Sequence, residues 1–223
     1  MRVAIIGSGL MGKGLSQIFA QCPEVSKVYW IGRSSESLKS GLQQVNQIWT
    51  KLIEKGRLTE AEKSDFNAKL SLETDKNCLD NVELVLEAVA ECIEAKKEVF
   101  ADVSRYVKPD TLLASNSSSL SITEIANVTK YPENVIGMHF FNPPALMKLS
   151  EIVVGMKTSE RSIARAQEIV KLLGKEPILV KEAPGFIVNR MLIPMINEAV
   201  GLVAEHVDFF GLSDMLCNKT NRF

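Results

Sequence analysis

Short apolar runs alternate with longer amphipathic stretches from residue 2 to about residue 183. The first run, Arg2-Val-Ala-Ile-Ile6, has the length and near-continuous apolar character of a buried parallel strand. A glycine-rich loop and a helical stretch to about Cys22 follow, and Lys27-Val-Tyr-Trp-Ile31 reads as a second strand. Residues 35–70 read as helices with exposed charged faces. Further strands are read at Val82–Ala88, Thr111–Ala114, Val135–Met138, Glu151–Val154 and Pro177–Val180. Helices are read from Glu94 to about Val107 and over 159–173, where Gly174 ends the second. Ser121-x-x-Glu124 has capping-box spacing and starts a short helix. Strands alternating with helices imply βαβ units, so the pattern predicts an α/β fold with a doubly wound, mostly parallel sheet.

From Pro184 the pattern changes. Residues 185–206 form one long helical stretch that is apolar almost all round, with Pro194 expected to bend it. Such a helix wants protein on most of its sides. The chain is therefore divided into a first domain over 1–183 and the start of an all-α C-terminal domain over 184–223.

Composition narrows the function classes. Hydrophobic residues make up 46% and charged residues 24%, an ordinary balance for a globular protein with a sizeable core. A formal net charge of −1 supplies no global field for nucleic acid or an anionic membrane, so neither is expected as a partner. No apolar run approaches membrane-spanning length. Cysteines 22, 78, 92 and 217 form no C-x-x-C pair, and no histidine stands at ligand spacing, which predicts free thiols and no metal site. A strand opening at residue 2 leaves no room for a signal peptide, and a cytoplasmic location is expected.

The loop after the first strand reads Gly7-Ser-Gly-Leu-Met-Gly12. In G-x-G-x-x-G, Gly7 permits a tight turn, Gly9 lets backbone approach a pyrophosphate, and Gly12 allows close helix–strand contact. The helix start at Leu10 and Met11 offers amide donors and a partial positive charge to the same phosphates. Placed between a strand and a helix, this is a Rossmann-type dinucleotide site. The end of the second strand selects the dinucleotide. An NAD site usually carries a carboxylate there for the ribose 2′-hydroxyl, and this chain has Gly32-Arg33-Ser34-Ser35 instead. Arg33 with Ser34 can hold a 2′-phosphate by charge-assisted hydrogen bonds, which favours NADP(H), with NAD(H) the alternative.

His139 lies in Gly137-Met-His-Phe-Phe-Asn-Pro-Pro144, after a strand whose C-terminal end should face the ligand crevice. Imidazole titrates where it can take an alcohol proton near neutrality. His206, late on the apolar helix, has no comparable setting. The dense stretch Ser115-Asn-Ser-Ser-Ser119 adds hydrogen-bonding groups between the phosphate loop and His139.

These segments, with Leu86-Glu-Ala-Val-Ala-Glu91, Met147-Lys-Leu-Ser-Glu-Ile152 and Ala183-Pro-Gly-Phe-Ile-Val-Asn-Arg190, resemble the 3-hydroxyacyl-CoA dehydrogenase family, above all its 3-hydroxybutyryl-CoA members. The resemblance runs over roughly residues 1–206. It implies an oxidoreductase acting on an acyl-CoA, with His139 as general base and Glu151 as the carboxylate that orients the imidazole. It further gives Ser118 contacts to substrate and nicotinamide, Asn189 a contact to the substrate oxygen, and Asn142, Glu91 and Lys96 cofactor contacts. Coenzyme A carries phosphates, and Lys51 and Lys55 are candidates to bind its nucleotide end, against a solvated basic face as the alternative.

Family members continue with further helices that resemble a dimerising domain, so a homodimer is implied for them. Here Asp208–Phe223 departs from the family pattern and reads as a truncated end. Two alternatives stand beside the enzyme: a dinucleotide-binding module without turnover, and another hydroxy-acid dehydrogenase on a related sheet.

Overall fold

The computed structural model describes residues 1–207, so the reading of 208–223, Cys217 included, falls outside the described residues. In chain order the elements are β1 (Arg2–Ile6), α1 (Leu10–Gln21), β2 (Lys27–Ile31), α2 (Ser35–Glu54), α3 (Glu60–Lys69), β3 (Leu70–Glu73) and β4 (Leu84–Glu87). There follow α4 (Ile93–Val103), β5 (Leu112–Ser115), α5 (Ile122–Ala126), β6 (Val135–Phe140) and β7 (Leu149–Val154). The last are α6 (Glu160–Leu172), β8 (Glu176–Lys181) and α7 (Val188–Ala204).

The strands form one sheet in the order β3-β2-β1-β4-β5-β6-β7-β8. Strands β1 to β6 are parallel, while β7 runs antiparallel to β6 and carries β8 parallel to itself. The doubly wound, mostly parallel sheet expected from the pattern is therefore what forms.

Side chains alternate between two faces, as a strand requires. On β1, Val3 and Ile5 join Leu15 and Phe19 of α1 on one face, while Ala4 and Ile6 join Phe100 and Val103 of α4 on the other. Both faces are covered by helices, which is why the strands read as apolar runs and not as alternating ones.

Two local details depart from the pattern. Leu70 opens β3 instead of closing a helix, because a four-residue edge strand is too short to show its own period. Ser121 caps α5 by accepting from the Glu124 amide at 3.1 Å, but the Glu124 carboxylate pairs with Lys97 at 2.9 Å. The reciprocal capping box stands at Thr59 and Glu62 instead, at the start of α3. Gly174, at φ +69°, ends α6 as expected.

Helix α7 holds Pro194 within its 17 residues and buries none of them. Met191 is 71% exposed and Val200 62%, so the apolar character seen in the sequence is largely uncovered among the described residues. No helix among those residues is long and apolar enough to cross a membrane.

Candidate active site

The sheet's strand order reverses between β1 and β4, and the crevice opens there, beyond the carboxyl ends of the strands. A cleft of about 1100 Å³ is lined by the glycine loop, by the segments after β2 and β4, and by Asn116 and Ser118. Gly7 takes φ +126°, and a Cβ there would lie 2.4 Å from the Ala88 carbonyl oxygen. A Cβ on Gly12 would come within 1.9 Å of the Gly7 oxygen. Trp30 Nε1 donates to that same oxygen at 2.8 Å and holds the loop down. Gly9, in contrast, meets nothing within 4 Å. Only its open side is free for a ligand, and a side chain would fill that space.

Gly9 is the N-cap of α1, whose first turn carries no acidic side chain and whose first amides have no intrahelical acceptor. With Leu10 and Met11 also on the lining, the cradle fits a dinucleotide pyrophosphate in shape and in electrostatics. At the end of β2, Gly32 donates to the Glu73 carbonyl at 3.0 Å, and Gly32, Arg33, Thr74 and Lys76 line the cleft. Lys76 Nζ sits 2.7 Å from Asp102. Ser34 is turned to another use: its hydroxyl caps α2 by accepting from the Ser37 amide at 3.4 Å.

At the other end of the cleft stands Glu91. Its Oε1 accepts from the Ser117 hydroxyl at 2.6 Å and from the Ser118 and Ser119 amides at 2.7 and 3.2 Å. Burial alone would raise this carboxyl, but those donors and the Lys96 ammonium outweigh it and hold it below the usual carboxylate range. Lys96 is buried beneath, 2.7 Å from Glu87 and 3.3 Å from Glu91. It reaches the cleft through Glu91 and does not line it.

The antiparallel pairing of β6 with β7 sets His139 directly opposite Glu151. Side chains of such a pair share a face, and here Nδ1 of His139 lies 2.7 Å from Oε2 of Glu151. Both are buried. The other carboxylate oxygen accepts from the Ile187 and Val188 amides at 3.0 and 2.9 Å. Burial pushes the Glu151 carboxyl up, yet His139 and the two amides prevail and lower it overall. An ionised Glu151 can only accept, so Nδ1 of His139 carries the hydrogen, and the neutral ring keeps its lone pair at Nε2.

A circuit closes around this pair. Asn189, one residue beyond Val188, donates from Nδ2 to the Ser118 carbonyl at 3.4 Å. Asn116 accepts from the Phe140 amide at 2.9 Å and ties the serine loop back to the end of β6. His139 is further held by Phe141 and Phe186, with ring centroids at 4.5 and 5.8 Å. Phe186 takes φ +50°, a strained conformation for an aromatic residue, of the kind that persists where surrounding contacts enforce it.

The structure thus joins His139, Glu151, Ser118 and Asn189, and sets Glu91 beside Ser118. Asn142 is exposed just beyond β6 and off the cleft lining, and Lys51 and Lys55 are exposed at the end of α2, also off it. Sequence reasoning missed Glu87, Asn116 and Phe186. All three lie inside segments already singled out, 86–91, 115–119 and 183–190, and for the first two a polar residue at the end of an apolar run was the available signal. Among the described residues Cys22, Cys78 and Cys92 are free, and no group of three or more His, Cys, Asp or Glu is placed to hold a metal.

Residues 2–183 match the family described as 3-hydroxyacyl-CoA dehydrogenase, NAD binding domain. The chain belongs to the 3-hydroxyacyl-CoA dehydrogenase family. It is 44% identical over 207 residues to the 3-hydroxybutyryl-CoA dehydrogenase of Clostridioides difficile, covering 93% of this chain and 73% of that protein. A probable 3-hydroxybutyryl-CoA dehydrogenase of Bacillus subtilis is 38% identical, with 92% and 71% covered. The crystal structure of (S)-3-hydroxybutyryl-CoA dehydrogenase from Ralstonia eutropha superposes with a TM-score of 0.89 at 38% identity, over 93% of this chain and 72% of that one. As a member of this dehydrogenase family, the chain is an oxidoreductase that uses a nicotinamide dinucleotide.

The lowered Glu151 carboxyl has a stability consequence. Below the ordinary value of 4.5 the unfolded chain binds the proton first, so the stabilisation from this site, full above that value, is lost as pH falls through the lower folded-state value. Urea unfolding measured from pH 6 down to 3 should show a shallower decline for Glu151→Gln than for the unaltered chain. Equal slopes would mean that Glu151 is not held ionised by its partners.

Proposed function

We propose that the chain interconverts (S)-3-hydroxyacyl-CoA and 3-ketoacyl-CoA, with short chains such as 3-hydroxybutyryl-CoA as its substrates. The observation that carries this reading is the buried His139–Glu151 pair, whose carboxylate also accepts from the Val188 amide next to Asn189, while Asn189 bonds to Ser118 on the lining of a dinucleotide cleft. The names of similar proteins support the substrate class.

In this mechanism Nε2 of His139, unprotonated in the tautomer that Glu151 enforces, takes the proton of the 3-hydroxyl. Glu151 stabilises the imidazolium that results, at a site where solvent is scarce and a fixed charge acts strongly. Ser118 and Asn189 hold the substrate oxygen in place, which converts an encounter into an oriented reaction. In reduction His139 returns the proton to the same oxygen. A bound nicotinamide supplies the hydride acceptor or donor for C3. Gly7, Gly9, Leu10, Met11 and Gly12 would hold its pyrophosphate, and Glu91, Lys96 and Asn142 would support its nicotinamide side. Lys51 and Lys55 would meet the phosphates of coenzyme A.

NADP(H) is the proposed form. Arg33 and Lys76 line the end of the cleft beyond β2, and no carboxylate stands at positions 32–35 to repel a 2′-phosphate. Ser34 is exposed beside them and its hydroxyl can still donate. We place residues 1–183 in the dinucleotide domain and begin a second unit at 184, which among the described residues is helical. Free cysteines support a reducing, cytoplasmic setting, and the exposed apolar residues of α7 support a homodimer.

Reduction of acetoacetyl-CoA, followed with NADPH and NADH side by side, tests both levels. His139→Ala should lower turnover by about a hundredfold or more while dinucleotide binding survives, as expected for loss of a general base. Turnover near that of the unaltered chain would remove His139 from the chemistry. In the same assay Arg33→Asp should raise the KM for NADPH by about tenfold or more, the scale of one charge-assisted contact. NADH preferred throughout, with no response to that substitution, would assign the chain to NAD(H).

A further inference from the structure

On the face of the sheet that packs against α4 and α5, apolar side chains give way to polar ones as the strands reach the cleft. Glu87, the last residue of β4, lies beside Ser115 in register and is 0% exposed. Both of its oxygens are bonded inside the protein. Oε1 accepts from Lys96 Nζ at 2.7 Å and from the Val89 amide at 2.6 Å, and Oε2 accepts from the Ser115 hydroxyl at 2.7 Å. It is not itself part of the cleft lining, which it meets only from behind, through the Val89 amide.

We propose that Glu87 is a positioning residue for the reaction: it fixes Lys96 under Glu91, so that Glu91 is free to hold the loop that carries Ser118. A buried ion pair is poor value for stability alone, since well-packed apolar residues of similar volume often serve as well or better. What this pair does is geometric. Lys96 is shared between two carboxylates, 2.7 Å from Glu87 and 3.3 Å from Glu91, and the buried partner holds it more closely. Glu91 is therefore left with one oxygen, Oε1, committed to Ser117, Ser118 and Ser119. With the charge on Glu87 gone, Lys96 would be attracted by Glu91 alone and would draw that carboxylate inward, away from the loop amides. Ser115 belongs to the same device, because its Oγ both donates to Glu87 and accepts from the Ser117 amide at 3.3 Å.

This inference rests on the role proposed above for Ser118, and a double-mutant cycle separates the two. Glu87→Gln keeps an oxygen to accept from Lys96 and Val89 and offers an amide to Ser115, so the buried bonds can be kept while the charge is removed. Acetoacetyl-CoA reduction is measured for the unaltered chain, Glu87→Gln, Ser118→Ala and the double variant, with dinucleotide affinity and thermal unfolding alongside. Glu87→Gln should lower kcat by about tenfold, the scale of one misplaced bond to a charged group, with little change in acyl-CoA KM. In the Ser118→Ala background the same substitution should have little further effect, because the group it positions is already missing. Equal fold-losses in both backgrounds would show that Glu87 acts generally on the fold, and no loss in the unaltered background would show that it does nothing for turnover; either overturns the proposal. Should Ser118→Ala alone turn over normally, the Ser118 role fails, and with it the route through which Glu87 acts. Ser115→Ala, which deletes one of the three bonds at a site that accepts the smaller side chain, should show the same non-additivity on a smaller scale. That variant decides the matter if Glu87→Gln does not fold, additive losses again counting against the proposal.

Discussion

One carboxylate joins the two halves of the site. Glu151 turns one oxygen to the His139 ring and the other to the first amides of α7, so a single buried anion orients the imidazole and seats the helix that brings Asn189. Its charge is tolerated inside the protein because every strong donor around it points inward and because a helix N-terminus favours an anion. The placement follows from topology. In a fully parallel sheet the beginning of a neighbouring strand would lie at the far edge from the cleft. Reversal of β7 puts its early residues beside the end of β6, where His139 stands.

The remaining chemistry gathers at the same edge for the same reason. The glycine loop follows β1, Arg33 follows β2, Glu87 ends β4, Ser115 ends β5 and His139 lies one residue from the end of β6. Sequence-distant residues become neighbours because parallel strands deliver their carboxyl ends to one side. Close packing of Gly7 and Gly12 against backbone lets α1 begin at the cleft floor. On the opposite side, Glu91 uses its acceptor capacity on the serine loop, and Glu182 does comparable work behind it by accepting from Ser121 and Thr123.

Much of this could be read in the sequence, and the exceptions have physical causes. Strands β1, β2, β4, β5, β6 and β7 announced themselves as apolar runs because both faces of the sheet are covered there, and the edge strand β8 did so although Ile178 and Leu179 are exposed. β3 did not, since four half-buried residues at an edge carry no distinctive pattern. His139 was picked out by its place after a strand, and Glu151, Ser118 and Asn189 through family resemblance, but their joining needs the β6–β7 register and the turn at Phe186, which no local pattern encodes. Lys96 was read as a cofactor contact; it lies below Glu91 and off the cleft lining, its charge shared with Glu87. The pairing with Glu87 spans nine residues and is visible only once α4 folds over β4. The long apolar pattern of α7 was correctly read as a helix, and its exposed Met191, Ile193 and Val200 are the residues that made it look buried.

The hydrogen-bonding state of one imidazole tests the coupling most directly. The chain holds only two histidines, so long-range proton–nitrogen NMR correlations can be assigned by comparison with a His206→Gln variant. Above the pH at which the ring is neutral, His139 is expected as the tautomer with hydrogen on Nδ1 and a lone pair at Nε2, and Glu151→Gln should weaken that preference. A ring protonated at Nε2, or a spectrum indifferent to residue 151, would mean that no carboxylate aims the base at the cleft.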